Sequence, residues 1–373
     1  MQINTVGIVG AGTMGSGIAT NLAQHGFRVL LTDARREAAE RAVEAARGFY
    51  ARAVQKGRMT AEAGAAAGGQ IAVADAVADL AEADLVIEAV YEDFDLKARL
   101  LEEMAPVLRD DTLVATNTSC LRVSDLARHL RRPERFLGLH YFSPAAVNPI
   151  VEVVKGEATA QGTIEAALAF CRASGKQPLR CKDSYGFAIN RFFCPYTNEA
   201  ARALDAGLGS TGEIDAIAGE VLGAAAGPFA VMNLIKPRIN LHAISNMAPL
   251  GAFYAPARAM VETGAADRAF ELTPGTGELD PDRKRKIADH LRLGCFLPVL
   301  QALDEGVAEP AAFDLGAQEA LKFGVGPCAL MDRLGRAEVE RIVRPALERY
   351  ELPTPAALAR VGQLIAPASA TQD

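Results

Sequence analysis

Short apolar runs alternate with stretches of helical periodicity from Met1 to about Asp183. The runs Val6 to Val9, Val29 to Thr32, Leu85 to Val90, Leu113 to Thr116, Phe136 to Tyr141 and Ile150 to Val154 predict strands. Between them, Met14, Ile18 and Leu22 recur at one-turn spacing, as do Leu96, Leu100 and Met104, and predict helices that bury one face. Strands alternating with helices in this way predict βαβ units on a mostly parallel, doubly wound α/β sheet.

After Tyr185-Gly186 the pattern changes to long helical stretches with few strand-like runs, beginning with Asn190 through Asp205. Leu272-Thr273-Pro274-Gly275-Thr276-Gly277, followed by Asp280-Pro281-Asp282, reads as a linker before another helical stretch. The two helical stretches repeat each other at a constant offset of 99 positions. Ala203-Leu204-Asp205-Ala206-Gly207 falls on Ala302-Leu303-Asp304-Glu305-Gly306, Asp215 on Asp314, and Gly227-Pro228-Phe229-Ala230-Val231-Met232-Asn233 on Gly326-Pro327-Cys328-Ala329-Leu330-Met331-Asp332. Three blocks in one register predict an all-α segment followed by its duplicate. The expected domains are therefore residues 1–184, 185–278 and 279–373.

Composition narrows the choice of partner. The 373 residues are 50% apolar, enough for more than one core, and carry a formal charge of −7. Such a chain has no global attraction for nucleic acid or an anionic membrane, so a phosphate-bearing ligand must be held by local groups. Six scattered cysteines form no CxxC pair and no compact framework, which fits reduced thiols and a cytoplasmic location. Met1 leads directly into the first strand without a basic or apolar leader, and no apolar stretch is long enough to span a bilayer, so a soluble, untargeted protein is expected. No ligand cluster suggests a metal.

Gly10-Ala11-Gly12-Thr13-Met14-Gly15 directly follows the first strand and opens the first helix, the context in which a GxGxxG pattern acquires chemical meaning. The first two glycines permit a tight turn and close approach to a pyrophosphate, and Gly15 lets helix and strand pack closely. Backbone N–H groups at the helix start then face the phosphate charge. Asp33, at the end of the second strand, stands where an acid hydrogen-bonds a ribose 2′-hydroxyl and repels a 2′-phosphate. This predicts a Rossmann-type NAD site. Arg35 and Arg36 leave open pairing with the 2′-phosphate of NADP.

Together with Leu85-Val86-Ile87-Glu88-Ala89-Val90-Tyr91-Glu92, Lys97, Asn117-Thr118-Ser119, Gly138-Leu139-His140-Tyr141-Phe142, Val151-Glu152-Val153 and Gly186-Phe187-Ala188-Ile189-Asn190-Arg191, the chain resembles the 3-hydroxyacyl-CoA dehydrogenase family along nearly its whole length. The resemblance implies NAD-dependent oxidation of the 3-hydroxyl of an acyl-CoA thioester, as in fatty acid breakdown. It implies further that Ser119 binds the substrate's 3-oxygen, that Asn190 reaches toward substrate, and that Glu92, Lys97 and Asn117 belong to the cofactor side.

Loss of hydride from C3 requires loss of the hydroxyl proton to a base of near-neutral pKa. His140 can be that base, and Glu152 the acid that orients the ring and stabilises its cation, since Pro144 and Pro149 mark a loop that would set the two strands side by side. Each residue has a plainer alternative. His140 could be a structural hydrogen-bonder, Glu152 a solvent-facing residue, Ser119 a helix cap in competition with Ser124, and Asn190 a helix-start hydrogen bond. Glu92 and Lys97 could be an exposed acid and base on a helix. Lys56 and Arg58 could contact CoA phosphates or simply end a basic helix.

Ser143-Pro144 and Asn148 depart from the family's usual Asn-Pro and Met, which puts the acyl chain in question more than the reaction. Other readings are the same chemistry on an acyl carrier protein, a 3-hydroxyisobutyrate-type dehydrogenase with a lysine base, and an NAD-binding sensor without turnover. The duplicated helical segment carries Asp289 in the register of Asn190, so one active site per chain is expected, in a monomer or a homodimer.

Overall fold

The computed structural model describes residues 2–275 and 279–365. The chain divides into two compact units, Met1–Asp183 and Ser184–Asp373.

The strands of the first unit are β1 (Thr5–Val9), β2 (Arg28–Thr32), β3 (Ile71–Val73), β4 (Leu85–Glu88), β5 (Leu113–Thr116), β6 (Phe136–Tyr141), β7 (Ile150–Lys155) and β8 (Gln177–Lys182). They form one sheet in the order β3-β2-β1-β4-β5-β6-β7-β8. Every pairing is parallel except β6 with β7, which is antiparallel. Its helices are α1 (Thr13–Gln24), α2 (Arg36–Gln55), α3 (Ala61–Gly69), α4 (Phe94–Met104), α5 (Val123–Ala127) and α6 (Gln161–Ala173). Val6, Ile8, Val29, Leu31, Leu85, Ile87, Leu137, Leu139, Val151 and Val153 form the core with Ile18 and Leu22 of α1. Burying a side chain of this size contributes about 1.5–3 kcal/mol each.

The doubly wound sheet and the α1 face agree with the pattern of the sequence, while β3 and β8 are additions to it. The face of α4 is a correction. Lys97, Ala98, Leu101 and Met104 are its buried residues, whereas Leu96 is exposed. A leucine at each turn suggested the neighbouring stripe, but the buried Lys97 ion pair turns the helix by one residue.

The second unit contains α7 (Asn190–Asp205), α8 (Thr211–Leu222), α9 (Pro228–Ile235), α10 (Pro237–Ser245), α11 (Arg258–Ala265), α12 (Pro281–Asp304), α13 (Pro310–Glu319), α14 (Pro327–Leu334) and α15 (Arg336–Arg349). The duplication extends to individual hydrogen bonds. Asp215 accepts the backbone N–H groups of Phe229 (2.8 Å) and Ala230 (3.1 Å) at the start of α9, and Asp314 accepts those of Cys328 (2.7 Å) and Ala329 (2.9 Å) at the start of α14. Left-handed backbone recurs at Gly207 (φ 66°) and Gly306 (φ 62°), and positive φ at Lys236 (87°) and Gly335 (82°). α7 packs on α12, where a Cβ at Gly294 would lie 2.6 Å from the Tyr196 Cα, so only glycine admits the crossing. Of the predicted linker, Thr276, Gly277 and the boundary after residue 278 lie outside the described residues. Asp280-Pro281-Asp282 is a helix start rather than linker: Asp280 caps α12 by accepting from the Arg283 N–H, and Pro281 is its first residue.

Candidate active site

The glycine turn lies between β1 and α1. Gly10 has φ 105°, and a Cβ there would be 2.6 Å from the Ala89 carbonyl oxygen. A Cβ at Gly15 would be 1.8 Å from the Gly10 oxygen, whereas one at Gly12 would meet nothing within 4 Å. Two of the glycines thus close the turn, and the third opens space in front of it. No side chain caps α1, so the N–H groups at Thr13 and Met14 open the helix toward that space. Asp33 accepts from the Ala11 N–H (2.8 Å) and the Arg35 N–H (3.0 Å), which locks the turn to the end of β2.

A cavity of about 260 Å³ at this corner is lined by Gly12, Ser16, Asp33, Arg35 and Arg41 among others. An open glycine, helix-start donors and an acid at the end of β2 around one cavity fit the adenosine and pyrophosphate of NAD. Of the two arginines that left NADP open, Arg36 is engaged by Glu40 and Asp75, and Arg35 lines the cavity.

On β4, the neighbour of β1, an ion pair organises the carboxyl edge of the sheet. Glu88, at the end of β4, accepts from the Lys97 ammonium (2.7 Å), the Val90 N–H (2.7 Å) and the Thr116 hydroxyl (2.6 Å). Both Glu88 and Lys97 are completely buried. Lys97 therefore stands behind Glu92, 3.4 Å from its carboxylate, with no surface of its own for a ligand. Glu92 in turn accepts from the Thr118 hydroxyl (2.5 Å), the Ser119 N–H (2.8 Å) and hydroxyl (3.2 Å), and the Cys120 N–H (3.1 Å). Burial opposes its ionisation, but the Lys97 charge and these donors outweigh it and hold the carboxyl below its ordinary range. Glu88 was not singled out in the sequence. Its signal was an acid in the middle of the apolar run Leu85 to Val90, which has to find a partner on folding.

Ser119 sits in the loop after β5, where Thr118 rather than Ser119 accepts from the Leu121 N–H. Ser124 is not a cap either: the start of α5 is capped by Asp183, which accepts from the N–H groups of Val123 (3.0 Å) and Ser124 (2.8 Å). The Asn117 side-chain oxygen accepts from the Tyr141 N–H (2.8 Å), tying the end of β5 to the residue after His140.

His140 and Glu152 are direct partners in the antiparallel β6–β7 register. The imidazole Nδ1 lies 2.6 Å from Glu152 Oε2, with the histidine side chain 7% exposed and the glutamate fully buried. A proton on Nδ1 faces the carboxylate, which makes Nε2 the accepting nitrogen of the ring. The Phe142 ring packs 4.3 Å from the imidazole, centroid to centroid. In the loop between the two strands, Asn148 is buried and accepts from the Ile150 N–H (3.1 Å). Lys176, absent from the sequence reading, donates to the carbonyls of Ala145 (2.8 Å) and Asn148 (2.7 Å) and so pins that loop. Burial pushes its ammonium down to about 8.

Asn190 is the first residue of α7 in the second unit. Lys56 and Arg58 are exposed at the turn between α2 and α3. All six cysteines are buried, and none is in a disulfide. Among the described residues no three His, Cys, Asp or Glu side chains cluster as metal ligands, and no helix is long and apolar enough to cross a membrane.

A mostly parallel sheet with a glycine turn at the end of β1, and an imidazole held on a buried carboxylate along the same sheet, define the class of dinucleotide-binding dehydrogenases. The model of the 3-hydroxyacyl-CoA dehydrogenase NAD binding domain matches residues 5–184, and that of the C-terminal domain of the same family matches residues 186–272. The chain belongs to the 3-hydroxyacyl-CoA dehydrogenase family. It is 39% identical over 243 residues to the 3-hydroxyadipyl-CoA dehydrogenase of Escherichia coli K12, an alignment covering 64% of this chain and 50% of that relative. It is 38% identical over 214 residues to the 3-hydroxybutyryl-CoA dehydrogenase of Bradyrhizobium diazoefficiens, covering 57% and 73% of the two chains. The chain therefore spans about half the length of the first relative. Among solved structures, 3-hydroxybutyryl-CoA dehydrogenase from Escherichia coli K12 superposes with a TM-score of 0.86 at 25% identity, over 98% of this chain and 99% of that one.

Proposed function

We propose that the chain catalyses the reversible oxidation of a 3-hydroxyacyl-CoA to the 3-ketoacyl-CoA with NAD. The observation that carries this reading is the His140–Glu152 pair, 2.6 Å apart and buried on adjacent strands of an NAD-binding sheet. Bound NAD supplies the acceptor for the hydride from C3. His140 accepts the 3-hydroxyl proton at Nε2, and Glu152 holds the ring by Nδ1 and offsets the positive charge it acquires. Ser119 is assigned to the 3-oxygen and Asn190 to the substrate, with Glu92 and Asn117 on the cofactor side and Lys97 supporting Glu92 from behind. Gly10, Gly12, Thr13, Met14, Gly15 and Asp33 hold the adenosine half of the cofactor.

The coenzyme A thioester follows from relatives whose names specify 3-hydroxyadipyl-CoA and 3-hydroxybutyryl-CoA. The buried, unbridged thiols support a cytoplasmic location. One site per chain is proposed, because only the first helical copy carries an asparagine at the Asn190 register.

The test follows NADH absorbance with acetoacetyl-CoA, longer 3-ketoacyl-CoA thioesters and the same acyl groups on acyl carrier protein. Turnover with a CoA thioester that falls about 10³-fold in His140→Gln, with NAD affinity retained, is the expected outcome. Turnover confined to the carrier-protein thioesters would reassign the substrate, and equal activity in His140→Gln would remove the assigned base.

A further inference from the structure

Arg191 follows Asn190 in α7 and is 1% exposed, so its guanidinium is a buried charge that needs compensation. Within its own copy it finds the Ser184 hydroxyl, to which Nη1 donates at 3.1 Å, and the face of the Tyr254 ring, 5.7 Å from its centre. Its acid comes from the second copy: Nη2 donates to Glu305, the residue that follows α12. The same helix reaches Tyr254, whose hydroxyl donates to Gln301 at 2.7 Å. Both contacts break the internal repeat. In the 99-residue register Glu305 corresponds to Ala206 and Gln301 to Arg202, so the duplicate carries an acid and an amide where the first copy has a methyl group and a cation.

We propose that the second helical copy supplies the counter-charge that fixes Arg191, and through it Asn190, making Glu305 a positioning residue for the acyl-CoA substrate. This rests on the substrate role assigned to Asn190 above. Asn190 and Arg191 share the first turn of α7, so the orientation of one limits the freedom of the other. A guanidinium held on a hydroxyl, an aromatic face and a carboxylate has one orientation. Without the carboxylate, the buried charge seeks solvent and takes the start of the helix with it.

The experiment compares the wild type with Glu305→Ala, Glu305→Gln and Asn190→Ala, using acetoacetyl-CoA and NADH, and measures NAD affinity and thermal unfolding on the same proteins. Glu305→Ala, which restores the residue of the first copy, is expected to raise the thioester KM about tenfold while the NAD dissociation constant stays within about twofold. Glu305→Gln keeps an acceptor for Nη2 and falls between Glu305→Ala and the wild type. Loss of NAD affinity in step with thioester affinity would show general damage to the helical unit and overturn the proposal. Two further outcomes overturn it for different reasons. If Asn190→Ala leaves the KM unchanged while Glu305→Ala raises it, the substrate role of Asn190 falls. If Asn190→Ala raises it and Glu305→Ala does not, the coupling between the copies falls.

Discussion

Glu92 shows how one carboxylate can organise a whole loop. Its donors come from three consecutive residues of the loop after β5, and its charge is balanced by a lysine entirely buried behind it. Because its folded-state pKa lies below the ordinary value of 4.5, the stability it contributes is fully present above about pH 4.5 and is lost as pH falls through the lowered value. Urea unfolding of wild type and Glu92→Gln across pH 3 to 7 should show a stability gap that is constant near neutrality and closes on acidification. A gap that does not vary with pH would mean the carboxylate charge does not matter to the loop. The sequence displayed the residues of the candidate site, His140 and Glu152 above all, because they punctuate apolar strands. It did not display what holds them in place. Glu88 and Lys176 are buried charges, and only the folded chain shows which groups satisfy them.

The glycine turn illustrates the same division among elements. Its strand, helix and acid were legible because the requirements are local: Gly10 needs positive φ, and Gly15 needs the absence of a side chain. Gly15→Ala places a methyl carbon inside the contact distance of the Gly10 oxygen, so α1 must shift off β1. The expected result is a loss of about 3 kcal/mol in stability together with weakened NAD binding, measured by chemical unfolding and cofactor titration. β3 and β8 were not legible for a physical reason. Both are edge strands, β3 has 3 residues, and β8 carries Pro178 and alternates the exposed Gln177, Arg180 and Lys182 with the buried Leu179 and Cys181. Half of such a strand faces water and gives no apolar run. The pairing of β6 with β7 could be anticipated from the prolines of the connecting loop, but its register, which puts His140 opposite Glu152, is a property of the assembled sheet.

At the scale of the whole molecule, the repeat was visible because Gly, Pro and Asp recur at positions where backbone geometry permits little else, such as Gly227 and Gly326 against the caps Asp215 and Asp314. How the copies join was not visible, since the joining residues are those that differ. α7 and α12 cross at Gly294, and His290 reaches Glu199 of the other copy at 2.7 Å. Gly294→Val should therefore lower the stability of the helical unit by about 3 kcal/mol or more, a loss read by calorimetry. The two copies should melt in one transition, and a variant in which one copy unfolds separately would show that the crossing does not couple them.

The covalent link between the copies also changes what mutation can achieve. When two identical chains pair about a twofold axis, every substitution is made twice, and an improvement on one side brings the same residue, wanted or not, to the other. A fused pair escapes that symmetry. His290 stands in the duplicate where the first copy has Arg191, and Glu305 where it has Ala206, so each face of the α7–α12 contact is free to specialise on its own. Duplication within the chain thus gives the protein an asymmetric interior that a symmetric pair could not evolve.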